Sequence, residues 1–110
     1  MTDRSFEFLS VLAYIYLQHG QPAKALPLLK SLAAIRPTSV DVARSLAYAH
    51  LEAGDYEHCL QHVQKSFREF PDLQQSVSLR LIRCRALWKL GRTEQARALA
   101  QEWSREQPTR

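Results

Sequence analysis

His58 and His62 stand four residues apart in a helical pattern, a spacing at which one helix face can offer two imidazoles to a metal ion. No carboxylate or thiol clearly completes such a site, and the repeat offsets described below turn both rings outward, so no metal is expected. Cys59 adjoins His58, but neighbouring helical residues point in different directions and cannot act as a thiol–base pair. Cys59 and Cys84 both occupy positions where a small apolar residue would serve, which favours buried free thiols over a disulfide framework. The chain has no phosphate-cradling glycine loop, no paired-acid motif and no nucleophile elbow. Neither catalysis nor a cofactor is expected.

Charge points the same way. The 110 residues carry 15 Lys and Arg against 11 Asp and Glu, a net charge of +4. Arg36, Arg44, Lys65 and Arg68 are scattered, and only the stretch from Arg80 to Arg97 is dense, with Arg83, Arg85, Lys89 and Arg92 between. A solvated helix face accounts for this density. Nucleic-acid binding is not expected, because no recognised module or aromatic-basic strand pattern accompanies the charge. No apolar run approaches the ~20 residues of a membrane span. The opening Met1-Thr2-Asp3-Arg4-Ser5 carries an acid and no apolar run of a secretory signal, which sets a cytoplasmic expectation.

The elements that must position these side chains come from an internal repeat. Gly20, Gly54 and Gly91 are the three glycines, and Pro37, Pro71 and Pro108 follow the same steps of 34 and then 37 residues, as do Ala25, Cys59 and Ala96. Three residue types holding one register through both steps define a repeat. Each glycine lies between two helical patterns, where a left-handed residue ends the first helix. Each small residue marks a close crossing of two helices, and each proline ends the second helix because it lacks an amide donor. Asp55 or Thr93 can cap the helix after its glycine, and Thr38 with Asp41, then Asp72 with Gln75, make capping-box-like starts.

Apolar residues recur at helical spacing, as in Phe8, Leu9, Leu12, Ile15 and Tyr16, then Leu26, Leu29, Leu32 and Ala33. The pattern predicts an all-α domain spanning residues 1–110, with repeats at about 6–39, 40–73 and 74–110. Six helices are expected near 5–19, 22–36, 39–53, 56–69, 72–90 and 93–106. The fifth is longer because the third unit has three extra residues. Pro27 should kink the second helix.

The first unit, with Leu9, Leu12-Ala13, Tyr16, Gly20, Ala25, Leu29 and Pro37, resembles the tetratricopeptide repeat, a helix-turn-helix unit of 34 residues. The second matches with Leu46-Ala47, Gly54, Tyr56, Leu60, Val63 and Pro71, and the third with Leu87, Gly91, Ala96 and Pro108. Arg83 departs from the pattern where a first-helix Leu is usual, and Trp103 where a small residue is usual. No seventh helix follows, so Trp103 or a partner would cover that end of the solenoid.

The resemblance implies three hairpins stacked as a short right-handed solenoid, with the first helix of each lining a concave groove for another protein. Carried onto this sequence, the groove offsets fall on Tyr14, Leu17, Arg44, Tyr48, Leu51, Leu81, Arg85 and Trp88 as principal residues. Glu7, Ser10, Gln18, Asp41, Ser45, Glu52, Ser78, Ile82 and Lys89 lie beside them. Two readings stay open: these apolar side chains complete hairpin packing, or they form a groove for an amphipathic helix or extended segment. The carboxylate-clamp type of groove fits poorly, since its offsets hold Ser10 and Tyr14.

A narrower resemblance rests on Phe8-Leu9, Leu17-Gln18-His19-Gly20, Ala25, Leu28-Leu29, Leu32 and Pro37. These look like the "Y"-type chaperones of bacterial type III secretion, small cytoplasmic three-repeat proteins. That likeness implies a small secreted client protein, the "X" type, whose apolar helical segment is held and brought to the export gate. A needle-subunit chaperone of the same machines is one alternative. A general interaction scaffold unrelated to secretion is another, and an RNA-associated helical repeat a third that the arginine density barely supports.

Overall fold

Six α-helices follow one another: α1 (Asp3–Gln18), α2 (Pro22–Ile35), α3 (Val40–Glu52), α4 (Tyr56–Glu69), α5 (Val77–Lys89) and α6 (Thr93–Glu106). They belong to a computed structural model that describes residues 1–106. Among the described residues there is no strand. Pro108, expected to stop the sixth helix, lies outside them.

The glycines end α1, α3 and α5 in one way. Gly20, Gly54 and Gly91 have φ of 68°, 77° and 81°, a left-handed conformation costly for residues with a Cβ. In each case the glycine N–H and the next N–H turn back to the last helical turn, as when Gln21 donates to the Tyr16 carbonyl at 2.8 Å. Asp55 donates likewise to His50 at 2.9 Å and Arg92 to Leu87 at 2.9 Å. This Schellman arrangement satisfies carbonyls that a helix end otherwise leaves open. The prolines act through the residue before them: Arg36 and Phe70 both sit at φ −130° with ψ near 80°, outside the helical region.

Several sequence expectations shift locally. The fifth helix does not begin at 72. Pro71–Gln75 forms a separate 3-10 turn, its Leu73 buried, and Ser76 caps α5 by accepting the Leu79 N–H at 3.4 Å. The three extra residues therefore made a tight turn instead of lengthening α5, and Asp72 with Gln75 is not a capping box. At α3 the cap is Ser39, accepting from Val42 N–H at 3.3 Å, so Thr38 lies one residue too early. Asp55 holds the cap position of α4 without capping through its side chain, and Thr93 is the first helical residue of α6, not its cap. Around Pro27, α2 runs on from Pro22 to Ile35. Pro27 and Ala23 are both exposed, so water can satisfy the carbonyl that the missing proline N–H leaves open.

Each helix packs on its sequence neighbours, and α3 also touches α1 and α5. Stacking of this kind gives an elongated body, 44 × 26 × 26 Å. Ala25 and Cys59 are fully buried where hairpins cross, and the Cys59 thiol donates to the Ala47 carbonyl at 3.3 Å. Burial pushes that thiol up to about 11. One core cluster joins the first and second hairpins through Leu17, Leu29, Leu32, Val42 and Leu46. A second joins the second and third through Leu51, Val63, Leu73, Leu79 and Ile82. Tyr48 packs against both.

Candidate functional site

The first helices of the three hairpins, α1, α3 and α5, converge on one face. Tyr14, Leu17, Gln18, Arg44, Ser45, Tyr48, Ser78 and Ile82 line a shallow concavity of about 280 Å³ there. Helical geometry explains the set. Tyr14 stands three and four residues before Leu17 and Gln18, Tyr48 three and four after Ser45 and Arg44, and Ile82 four after Ser78, which puts each set on one side of its helix. Leu17 and Ile82 are largely buried and form the floor, whereas Tyr14 is 58% exposed. Burial and the neighbouring Glu52 carboxylate push the Tyr48 phenol above its ordinary value, so it stays protonated and can donate a hydrogen bond. The surface combines two aromatic rings, an apolar floor and one guanidinium (Arg44 pairs with Asp41 at 2.8 Å), and can grip an amphipathic segment.

Other expected groove residues lie elsewhere. Leu51, at 5% exposure, belongs to the second core cluster and is closed to a partner. Its position, like that of Leu17, faces the next hairpin, so packing there is completed inside the fold. Trp88 holds the equivalent place in α5, against which no further hairpin packs among the described residues, and is 61% exposed with Lys89 Nζ 5.5 Å from its ring centroid. Arg85 lies at the rim, 3.9 Å from Glu52. Leu81 is exposed and turns from the concavity towards a second cavity.

The histidines are not all outward. His58 is exposed, but His62 is half-buried and its ring centroid lies 6.0 Å from that of the buried His50. A carboxylate does reach the group: Asp55 contacts His50 Nδ1 at 3.1 Å and His58 Nδ1 at 2.7 Å. Desolvation, opposed by Asp55, holds His50 below the usual imidazole value, and desolvation with the nearby His50 does the same to His62. The hydrogen bond from His58 holds Asp55 below the usual carboxylate value. Among the described residues, no three His, Cys, Asp or Glu side chains converge as a metal site requires. The cluster ties the α3–α4 turn to both helices.

The second cavity, about 430 Å³, opens between α4, α5 and α6. Phe67, Arg68, Arg83, Leu99 and Trp103 are among the residues around it. Sequence reasoning did not place a cavity there, although Arg83 and Trp103 were its two departures from the repeat. Both departures sit on the same cavity, and Trp103 faces it.

No described helix is long and apolar enough to cross a membrane. No curated protein sequence matches this chain. Families described as Tetratricopeptide repeat match at residues 16–77 and again at 77–102. Such repeats are protein-interaction scaffolds, and the first match alone spans more than half of the chain. With three helical hairpins, each turning at a glycine and stacked around a concave face, the chain belongs to the tetratricopeptide repeat family.

Proposed function

We propose that the protein is a cytoplasmic chaperone of a bacterial type III secretion system. It holds an apolar or amphipathic segment of a small secreted export-apparatus protein on its concave face. The observation that carries the binding part is the convergence of Tyr14, Tyr48 and Arg44 over the floor of Leu17 and Ile82. Aromatic and Arg side chains around an apolar floor are the residue types that anchor protein interfaces. The secretion part rests on the likeness of the first hairpin, Phe8-Leu9 through Pro37, to the Y-type chaperones.

Tagged protein expressed in its native host, followed by mass spectrometry of what co-purifies, tests this. One small secreted protein at near-equal stoichiometry is the expected result, and its identity separates the export-apparatus client from a needle subunit. Recovery of the bait alone, or of a broad set of cytoplasmic proteins, would remove the secretion assignment. A general, self-associating scaffold is the second reading. It is favoured by α1, whose Phe8, Val11, Leu12 and Ile15 form an exposed apolar stripe opposite the core. Dimers at micromolar concentration in sedimentation, without any partner, would support it.

A further inference from the structure

The hairpins meet at two seams built from equivalent repeat positions. In the first, Leu46 of α3 packs with Leu29 and Leu32 and the space is filled. In the second, Arg83 takes the place of Leu46, 37 residues on, and beside the core of Val63, Leu79 and Ile82 a cavity of about 430 Å³ opens. Its volume falls within the ~300–1,000 Å³ typical of ligand sites.

The lining is of two kinds. Phe67, Leu99 and Trp103 give it apolar walls, while Arg68, Arg80 and Arg83 bring guanidinium groups. Arg80 is already engaged: Nε donates to the Gln74 carbonyl at 2.6 Å and Nη1 to Glu106 at 3.0 Å. Arg68 and Arg83 pair with no carboxylate among the described residues. Arg83 is only half-exposed, a setting in which a cation gains from a fixed anion. Glu102 is the one acid on the lining among the described residues. Positive charge therefore exceeds negative within an apolar enclosure.

We infer that this seam is a second recognition site, taking a short acidic-apolar peptide segment: a large apolar side chain between α4 and α6, with an adjacent carboxylate on Arg83 and Arg68. A peptide suits the opening because Val77 and Leu81, both exposed, continue the apolar surface along α5. They lie next to Ser78 and Ile82 of the concave face, so a chain leaving the cavity has a path to follow. The inference does not depend on what the concave face binds.

A phage-displayed library of random nonapeptides, panned against the wild-type protein, supplies the probe. The selected consensus peptide is then synthesised and titrated against protein carrying Trp88→Phe, which leaves Trp103 as the sole indole. The expected consensus places Asp or Glu beside Phe, Leu, Met or Trp, and its binding changes Trp103 emission. Arg83→Leu restores the residue of the first seam, so it should fold and should weaken the peptide at least tenfold. Tyr14→Ala on the concave face should leave the affinity unchanged. Failure to enrich any peptide, a consensus lacking acids, or equal affinity for the Arg83→Leu protein would overturn the assignment. Dodecanoate is titrated in parallel; saturation by the fatty acid with no response to peptide would also overturn it.

Discussion

The two seams of this solenoid use the same backbone geometry and differ in what fills them. At the first, Leu46 (3% exposed) packs with Leu29 and Leu32 of the preceding hairpin. At the second, buried Val63 and Ser66 stand where Leu29 and Leu32 did, but Arg83 replaces Leu46 and borders open space with Ala100 and Trp103. The repeat step also changes, from 34 to 37 residues, and the added residues form the 3-10 turn whose Gln74 borders that space. Helical repetition sets where hairpins stack, while a few side chains decide whether a seam closes fully or leaves a cavity beside its core. A solenoid contacts mostly its nearest neighbours, so one seam can loosen without unfolding the other.

The largest effect is expected where the closed seam is opened. Leu46→Ala should cost about 2–5 kcal/mol, as for buried leucines elsewhere, because both transfer energy and packing are lost. Chemical denaturation would show it, and a loss below ~1 kcal/mol would mean that the first seam is as tolerant as the second. The converse substitution, Arg83→Leu, should stabilise by roughly 1 kcal/mol, the scale of burying an added apolar side chain in partly open space. A clear loss of stability would mean that the arginine supports the fold.

Acid should also separate the seams. His62 occupies in the second hairpin the position that Leu99 holds beside the open cavity. His50 and His62 are held below the ordinary imidazole value, so the unfolded chain binds more protons than the folded one as pH falls. Stability is full above about pH 6.5 and declines as pH drops from there towards the lowered folded values. His62→Leu should flatten this decline between pH 7 and pH 5. Thermal melts of both proteins from pH 7 to pH 5 would show it, and identical slopes would contradict the assignment. Asp55, shifted the other way, adds a further loss only below about pH 4. The smallest effect belongs to the rim: Arg85→Ala removes an exposed pair with Glu52 and should change stability by less than ~0.5 kcal/mol.

Much of this was legible in the residues, for physical reasons. The glycine and proline series mark backbone demands that few other residues meet, so hairpin boundaries fell within two residues of expectation for all helices but the fifth. Three inserted residues fit either a longer helix or a tight turn; burial of Leu73 and the Ser76 cap select the turn. On the concave side, repeat offsets located Tyr14, Arg44 and Tyr48, since lateral position in a helix follows from spacing alone. They misplaced Leu51, because whether a helical residue faces the groove or the next hairpin depends on how closely that hairpin docks. The seam cavity was hidden for a related reason: a void depends on volumes summed over three helices, and the two unusual residues, Arg83 and Trp103, are far apart in sequence.

The concave face is tested most directly by the affinity of the co-purified partner for wild-type and Tyr14→Ala protein. Tyr14 is exposed, so its truncation should leave the melting temperature within ~2 °C, since exposed sites seldom shift stability by more than ~0.5 kcal/mol. If the concave face holds the partner, loss of this aromatic anchor should weaken binding about tenfold, or ~1.4 kcal/mol. Unchanged affinity in a fully folded Tyr14→Ala protein would contradict the account and move the partner to another surface.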